Sequence, residues 1–234
     1  LLILAGAAAT AQEAAPAPIR SGCEVDYPPF CIVHEDGRAD GFSVELLRAA
    51  LAKMDREVAF RTGPWSGVRG WLERGEIDCL PGVGRTPERE ALFDFTVPYL
   101  TMHGAIVVRK DTEGIHTMAD LRGRRVGVMK GDNAEEFLRR KDRGFEIVTT
   151  PTFPDALRAL SESRCDAVVM QRLVALRLLD DVGPDNLKIV DRPIHGFSQD
   201  WCFAVTEGDR ETLALLNEGL ALVVADGTRR RLHA

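Results

Sequence analysis

Apolar positions along this chain switch repeatedly between two spacings. From Ser43 to Lys53 they fall at Leu46, Leu47, Ala50 and Leu51, with Met54 just beyond, the three-and-four step of a helix with one buried face. Shorter apolar runs on either side, Ile19–Val25 and Glu57–Arg61, read as strands. Ser66–Arg74 then reads as a helix closed by Gly75, and Ile77–Leu80 as a strand. After a crossover run at Ala105–Arg109 the alternation begins again. Arg125–Met129, Glu146–Thr149, Asp166–Met170 and Leu187–Val190 read as strands, separated by helices over Asn133–Arg140, Phe153–Ser163 and Arg172–Leu179. Trp201–Val205 reads as extended, and Arg210–Ala225 as a long helix that stops at Asp226-Gly227.

Two β-α-β-α-β units predict an α/β fold with two open sheets, each offering a ligand edge at the carboxyl ends of its strands. Setting those edges face to face across a hinge makes one cleft. A length of 234 residues suits two lobes of roughly 100 residues each. The composition, 45% hydrophobic and 28% charged, is that of an ordinary globular protein. A formal charge of −6 argues against a nucleic-acid partner, and Arg229–Arg231 reads as a solvated helix end.

Residues 1–11, LLILAGAAATA, are apolar and finish in small side chains, and Ala9-Thr10-Ala11 fits an A-x-A cleavage site before Gln12. A truncated transmembrane helix would leave the same remnant. Both readings export the remainder of the chain, and the Ala/Pro-rich stretch up to residue 18 reads as a linker. Five cysteines in an exported chain permit two disulfides, with Cys23 to Cys31 or Cys79 as candidate bridges. Buried, unpaired thiols are the alternative. The five histidines show no paired metal-ligand spacing and read as surface or satisfied residues, and no metal or cofactor is expected.

The densest signal is IDCLPGVGRTPEREALFDFTVPYL, residues 77–100. Thr86 and Pro87 predict a helix start, with Thr as N-cap and Pro at the first helical position. Arg89 falls in that first turn, where free backbone N–H groups already favour an anion. A guanidinium there would make a carboxylate receptor, because its fork matches two oxygens at once. A surface Arg paired with Glu88 or Glu90 is the alternative.

Together with WLERGEIDC upstream, DYPPF (26–30), DGFSVELLRAAL (40–51), DLRGRRVGVMKGD (120–132), ALRALSESRCDAVV (156–169) and LLNEGLALVVADGT (215–228), this segment resembles extracellular solute-binding proteins of family 3. The likeness runs from about Ile19 to Leu232 and extends to the sensor-domain branch of the family. It implies a two-lobed periplasmic-binding-protein fold of type II, with residues 19–106 and 199–234 in lobe one and 107–198 in lobe two. The chain would cross near Val107–Arg109 and Arg192–Gln199.

The resemblance also implies a pocket. Tyr27 would cover the ligand from lobe one, on a loop held extended by Pro28 and Pro29. Trp65 would sit just before a helix, packed on lobe or ligand. Gly82 and Gly84 stand where relatives carry Ser or Thr, leaving backbone groups as the polar contacts. Arg89 would bind a carboxylate. Asn133 heads a helix that would hold the same carboxylate from the other side, or serve simply as its N-cap. Asp132 departs from the family, since a negative charge beside an anion site is unfavourable unless it points away. Gln171 departs too: relatives place Asp or Glu there for the α-ammonium, which points away from a standard α-amino acid.

The function implied is extracytoplasmic binding of a small polar, carboxylate-bearing solute by hinge closure, as the sensing domain of a membrane-anchored receptor. A fused transmembrane signalling module would be its partner. A free periplasmic receptor serving an ABC permease is one alternative. The other is an enzyme similar to cyclohexadienyl dehydratases, with Asp132 or Glu24 as acid.

Overall fold

A computed structural model describes residues 16–141, 144–181 and 183–233. The apolar leader, its cleavage site and most of the linker lie outside the described residues. Among those described, the first half runs β1 (Ile19–Glu24), β2 (Ile32–Val33), β3 (Ala39–Asp40), α1 (Phe42–Ala52), β4 (Val58–Gly63), α2 (Trp65–Glu73), β5 (Cys79–Gly84), α3 (Pro87–Glu90) and β6 (Phe93–Phe95). Then come the long strand β7 (Leu100–Arg109) and a 3-10 turn at Met118–Leu121. The second half continues with β8 (Arg125–Met129), α4 (Asn133–Lys141), β9 (Glu146–Thr150), α5 (Phe153–Ser161), β10 (Ala167–Gln171), α6 (Arg172–Asp181) and β11 (Leu187–Ile189). The chain returns through β12 (Ser198–Thr206), α7 (Arg210–Ala225) and α8 (Thr228–His233).

The strands follow the order β4-β1-β5-β12-β7-β10-β8-β9, with β6 beside β12 and β11 beside β7. Parallel pairing of β1 with β4 and β5, and of β8 with β9 and β10, gives each half an open α/β sheet. Two antiparallel strands join the halves. β7 pairs with β12 through Leu100–His103 and with β10 through Gly104–Val107, so one strand serves both sheets. It is longer than the predicted Ala105–Arg109, because polar Thr101 and His103 hide the pattern of a strand whose first residues face solvent on one side.

Strand periodicity divides the core. In β8, Val126 and Val128 pack into one apolar cluster with Phe137 and Leu138, while Met129 turns to the other face. In β10, Ala167 and Val169 join the first cluster and Val168 and Met170 the second. That second cluster runs on into the first half, through Tyr27, Trp65 and Trp201. Helix α1 buries Leu46, Leu47, Ala50 and Leu51 as its spacing predicts. Its entry needs Gly41, at φ 105°, where a Cβ would stand 2.6 Å from the Phe30 carbonyl oxygen.

Several local expectations need correction. The Tyr27–Cys31 loop is a tight turn closed by reciprocal Tyr27 and Cys31 backbone bonds, with a cis Pro28–Pro29 peptide, and is not extended. Trp65 is the first residue of α2 and does not precede it. Of Arg229–Arg231, read as a solvated helix end, Arg230 and Arg231 are exposed, whereas the Arg229 guanidinium donates to the Tyr99 carbonyl at 2.7 Å. All five cysteines are buried and free. His34, His103, His116 and His195 are exposed.

Candidate functional site

The carboxyl ends of β1, β5, β8 and β10 bring the predicted residues to one place, at the junction of the two halves. Thr86 caps α3 by accepting from the Arg89 amide at 3.3 Å, and Pro87 fills the first helical position. Arg89 is only 2% exposed. Its Nη1 donates to the Gly84 carbonyl and its Nη2 to the Gly131 carbonyl, each at 3.2 Å. Its Nε donates to Glu136 at 3.0 Å, across the junction. The other Glu136 oxygen accepts from the Thr86 hydroxyl at 2.9 Å. Trp65 lies under the guanidinium, 4.9 Å from ring centroid to Cζ, and donates its indole N–H to the Gly131 carbonyl at 2.7 Å. Sequence reasoning offered Glu88 or Glu90 as surface partners; the partner is Glu136, and the guanidinium is buried.

The N-cap of α4 is Asp132, not Asn133. The Asp132 carboxylate accepts from the Ala134 amide at 2.9 Å, two residues into the turn. It also accepts from the Gln171 side-chain amide at 3.0 and 3.1 Å. Asp132 therefore faces the junction and does not point away, the arrangement that is unfavourable beside an anion site. Gln171 donates to the Asn133 side-chain oxygen Oδ1 as well.

Tyr27 stacks on Trp201 with centroids 6.0 Å apart and planes 4° from parallel, and meets Phe153 of the second half at 5.8 Å. Gly82 and Gly84 make room for Trp201. Their Cβ atoms would stand 3.3 Å from its indole nitrogen and 2.7 Å from its six-membered ring. At Gly84 a Cβ would also stand 2.5 Å from the Asn133 side-chain amide nitrogen. Trp201 itself escaped the sequence reading, although its strand register, Trp201 opposite Gly84, explains both glycines.

Two electrostatic features mark the site. Among the described residues, six buried side-chain polar atoms lack a hydrogen-bond partner, and four of them belong here: Tyr27 Oη, Asn133 Nδ2, Gln171 Oε1 and Trp201 Nε1. Such atoms are costly away from water, and these four come from both halves. Glu24, at the end of β1, is the second feature. Burial, followed by the nearby Asp132 charge, pushes its carboxyl well above the usual range, against the pull of Arg89. Burial likewise raises Asp132, again opposed by Arg89. Neither carboxyl has an ion-pair partner among the described residues. No group of three or more His, Cys, Asp or Glu side chains there is arranged to hold a metal.

A sheet in two halves joined by paired crossover strands, with convergent polar groups at the junction, defines a type II periplasmic-binding-protein fold. Residues 19–234 match the bacterial extracellular solute-binding proteins, family 3, and the chain belongs to that family. It is 31% identical to the putative amino-acid ABC transporter-binding protein PatH of Vibrio harveyi, over 98% of this chain and 91% of that one. Among solved structures it is similar to a histidine kinase sensor domain with similarity to periplasmic binding proteins, at 34% identity and a TM-score of 0.87, covering 92% and 94% of the two chains. It is also similar to an ancestral arginine-binding protein bound to arginine, at 32% identity and a TM-score of 0.85, covering 94% and 97%.

Proposed function

We propose that this chain binds a small polar solute of amino-acid size outside the cytoplasmic membrane, as the sensing unit of a membrane-anchored receptor. Residues 19–103 and 198–234 form one lobe in this reading and 104–197 the other, with β7 and β12 as hinge strands. The boundary falls three residues short of the one the resemblance implies, because β7 passes from β12 to β10 at Gly104. The observation that carries it is the convergence of unpartnered polar atoms from both halves. Tyr27 and Trp201 come from one side, Asn133 and Gln171 from the other. A solute that bonds to both sets favours the closed arrangement by its differential affinity alone. Tyr27, Trp65, Gly82, Gly84, Asn133 and Gln171 line this site, with Arg89 at its edge.

The likeness to a kinase sensor domain supports signalling through a fused transmembrane module. The likeness to PatH supports a second reading, a free receptor that delivers its solute to an ABC permease. A transmembrane helix encoded soon after Ala234 in the full gene decides for the first. We read the site as binding, without catalysis, in line with the binding proteins the chain resembles. Aromatic product released from prephenate would overturn that.

The test is a thermal-shift screen over amino acids, dicarboxylates and polyamines, followed by calorimetry. At least one solute is expected to stabilise the protein, and Tyr27→Ala to weaken its binding by roughly 10- to 100-fold, the equivalent of about 1.5–3 kcal/mol. A solute that binds the native chain and Tyr27→Ala equally well would place the site elsewhere.

A further inference from the structure

Away from the junction, the second half carries a cavity of about 350 Å³, large enough for a small organic molecule. Its floor is apolar and belongs to the core. Ile106 of β7, Phe137 of α4 and Ile194 are buried in one cluster, and Phe137 stacks on Phe197 with centroids 4.6 Å apart. Its rim is basic. His116, Lys141, Arg192 and His195 line it, and among the described residues no carboxylate does. Four basic side chains thus gather at one cavity of a chain whose formal charge is −6.

The rim stands on backbone that is already fixed. The turn carrying His116 is closed by Asp120, whose Oδ2 accepts the His116 and Thr117 amides at 3.0 and 2.8 Å and the Thr117 hydroxyl at 2.9 Å. Those bonds, the His116 amide first, hold the Asp120 carboxyl below its ordinary range, and the charge of the His116 ring adds only a minor pull. The segment carrying Arg192 and His195 is pinned to β7. The Val190 amide donates to the Ile106 carbonyl at 2.8 Å and the Ile194 amide to the Gly104 carbonyl at 3.2 Å. The side chains on this frame are uncommitted. The Lys141 ammonium lies over the Phe137 ring at 5.4 Å, and the Arg192 and His195 side chains have no ion pair or hydrogen bond among the described residues.

We propose that this cavity is a second binding site, for a small organic anion whose carboxylate or phosphate group meets the basic rim and whose apolar body lies on Ile106, Phe137 and Ile194. Lys141 and Arg192 are cations, and each histidine ring donates at least one N–H, so the rim matches an anion in charge and in hydrogen bonding. The floor adds affinity for the body by taking its apolar surface out of water, which a bare inorganic ion cannot use. Every lining residue falls between positions 106 and 195, in one half of the molecule. The site therefore depends neither on closure of the junction nor on the solute proposed for it.

Titration of isotope-labelled protein with phenyl phosphate and with benzoate, followed by amide NMR at constant ionic strength, tests this. At least one probe is expected to bind and to move the Thr117 and Ile194 amide signals. It should bind roughly tenfold more tightly than inorganic phosphate or acetate, its counterpart without the ring. Lys141 and Arg192 are exposed, so Lys141→Gln combined with Arg192→Gln should leave the fold intact and weaken the probe by roughly tenfold or more. Tyr27→Ala is expected to leave probe binding unchanged. A protein that takes the probe here but no solute at the junction refutes the proposal for the junction alone. Failure of both probes to bind, signals that move at the junction instead, full affinity in the double variant, or equal affinity for the bare ions overturns the second site.

Discussion

Burying a guanidinium is tolerable at Arg89 because an ion pair, two carbonyls and an indole face surround it. Glu24 has no such company, and its carboxyl is held toward the neutral form. The folded chain keeps that proton over a pH range in which the unfolded chain has lost it. Stability therefore falls as pH rises from the ordinary carboxyl range through the raised value, and is unaffected below both. Glu24→Gln removes the penalty. The variant is expected to match the native melting temperature near the acid end and to exceed it at neutral pH, by roughly 2–4 °C for about 1 kcal/mol. Melting curves across pH check this, and a gap that closes as pH rises refutes it.

Among the elements, the facing strands β5 and β12 decide how closely the halves approach. Their register sets Trp201 opposite Gly84, and the missing Cβ lets both the indole and Asn133 come in. Gly84→Ser puts an atom 2.7 Å from the Trp201 ring, so the ring or the second half must retreat. The expected result is weaker binding of whichever solute the screen identifies, with little change in melting temperature, since β5 can keep its ladder. Unaltered affinity would show that the close approach at Gly84 is not needed for binding. Elements were largely legible in the sequence. Helix α1 follows the spacing of Leu46, Leu47, Ala50 and Leu51, and α3 starts where Thr86-Pro87 predicts. The β2–β3 pair and β6 escaped, because segments of two or three residues are too short to display a period.

For the whole molecule, the contacts between halves form a latch outside the aromatic floor. Glu136 reaches Arg89, Thr86 and, at 3.5 Å, Arg69, and Arg140 pairs with Glu88. The exposed Arg140 pair adds little, whereas the Arg89–Glu136 pair sits where solvent screens it poorly. Glu136→Ala is expected to shift the molecule toward an open form, read as a larger radius of gyration by small-angle scattering. Identical scattering from the two proteins would show that the pair does not govern closure. An opening that keeps the β7–β12 pairing is expected to be a rotation that leaves each sheet whole.

Periodicity and turn residues determined the alternation of strands and helices, and the ordered motifs determined the family, because those signals are local and survive in one dimension. The helix start that carries Arg89 was readable for the same reason. What Arg89 touches was not. Glu136 lies 47 residues away on another helix, and on α4 it reads only as an acid favouring a helix dipole. Asp132 looked like a misplaced charge until Gln171, brought in by β10, gave it a donor. Trp201 became a site residue only through its register against Gly84. Charge balance in a buried site depends on which side chains share a few ångströms of poorly screened space, and only the folded chain decides that.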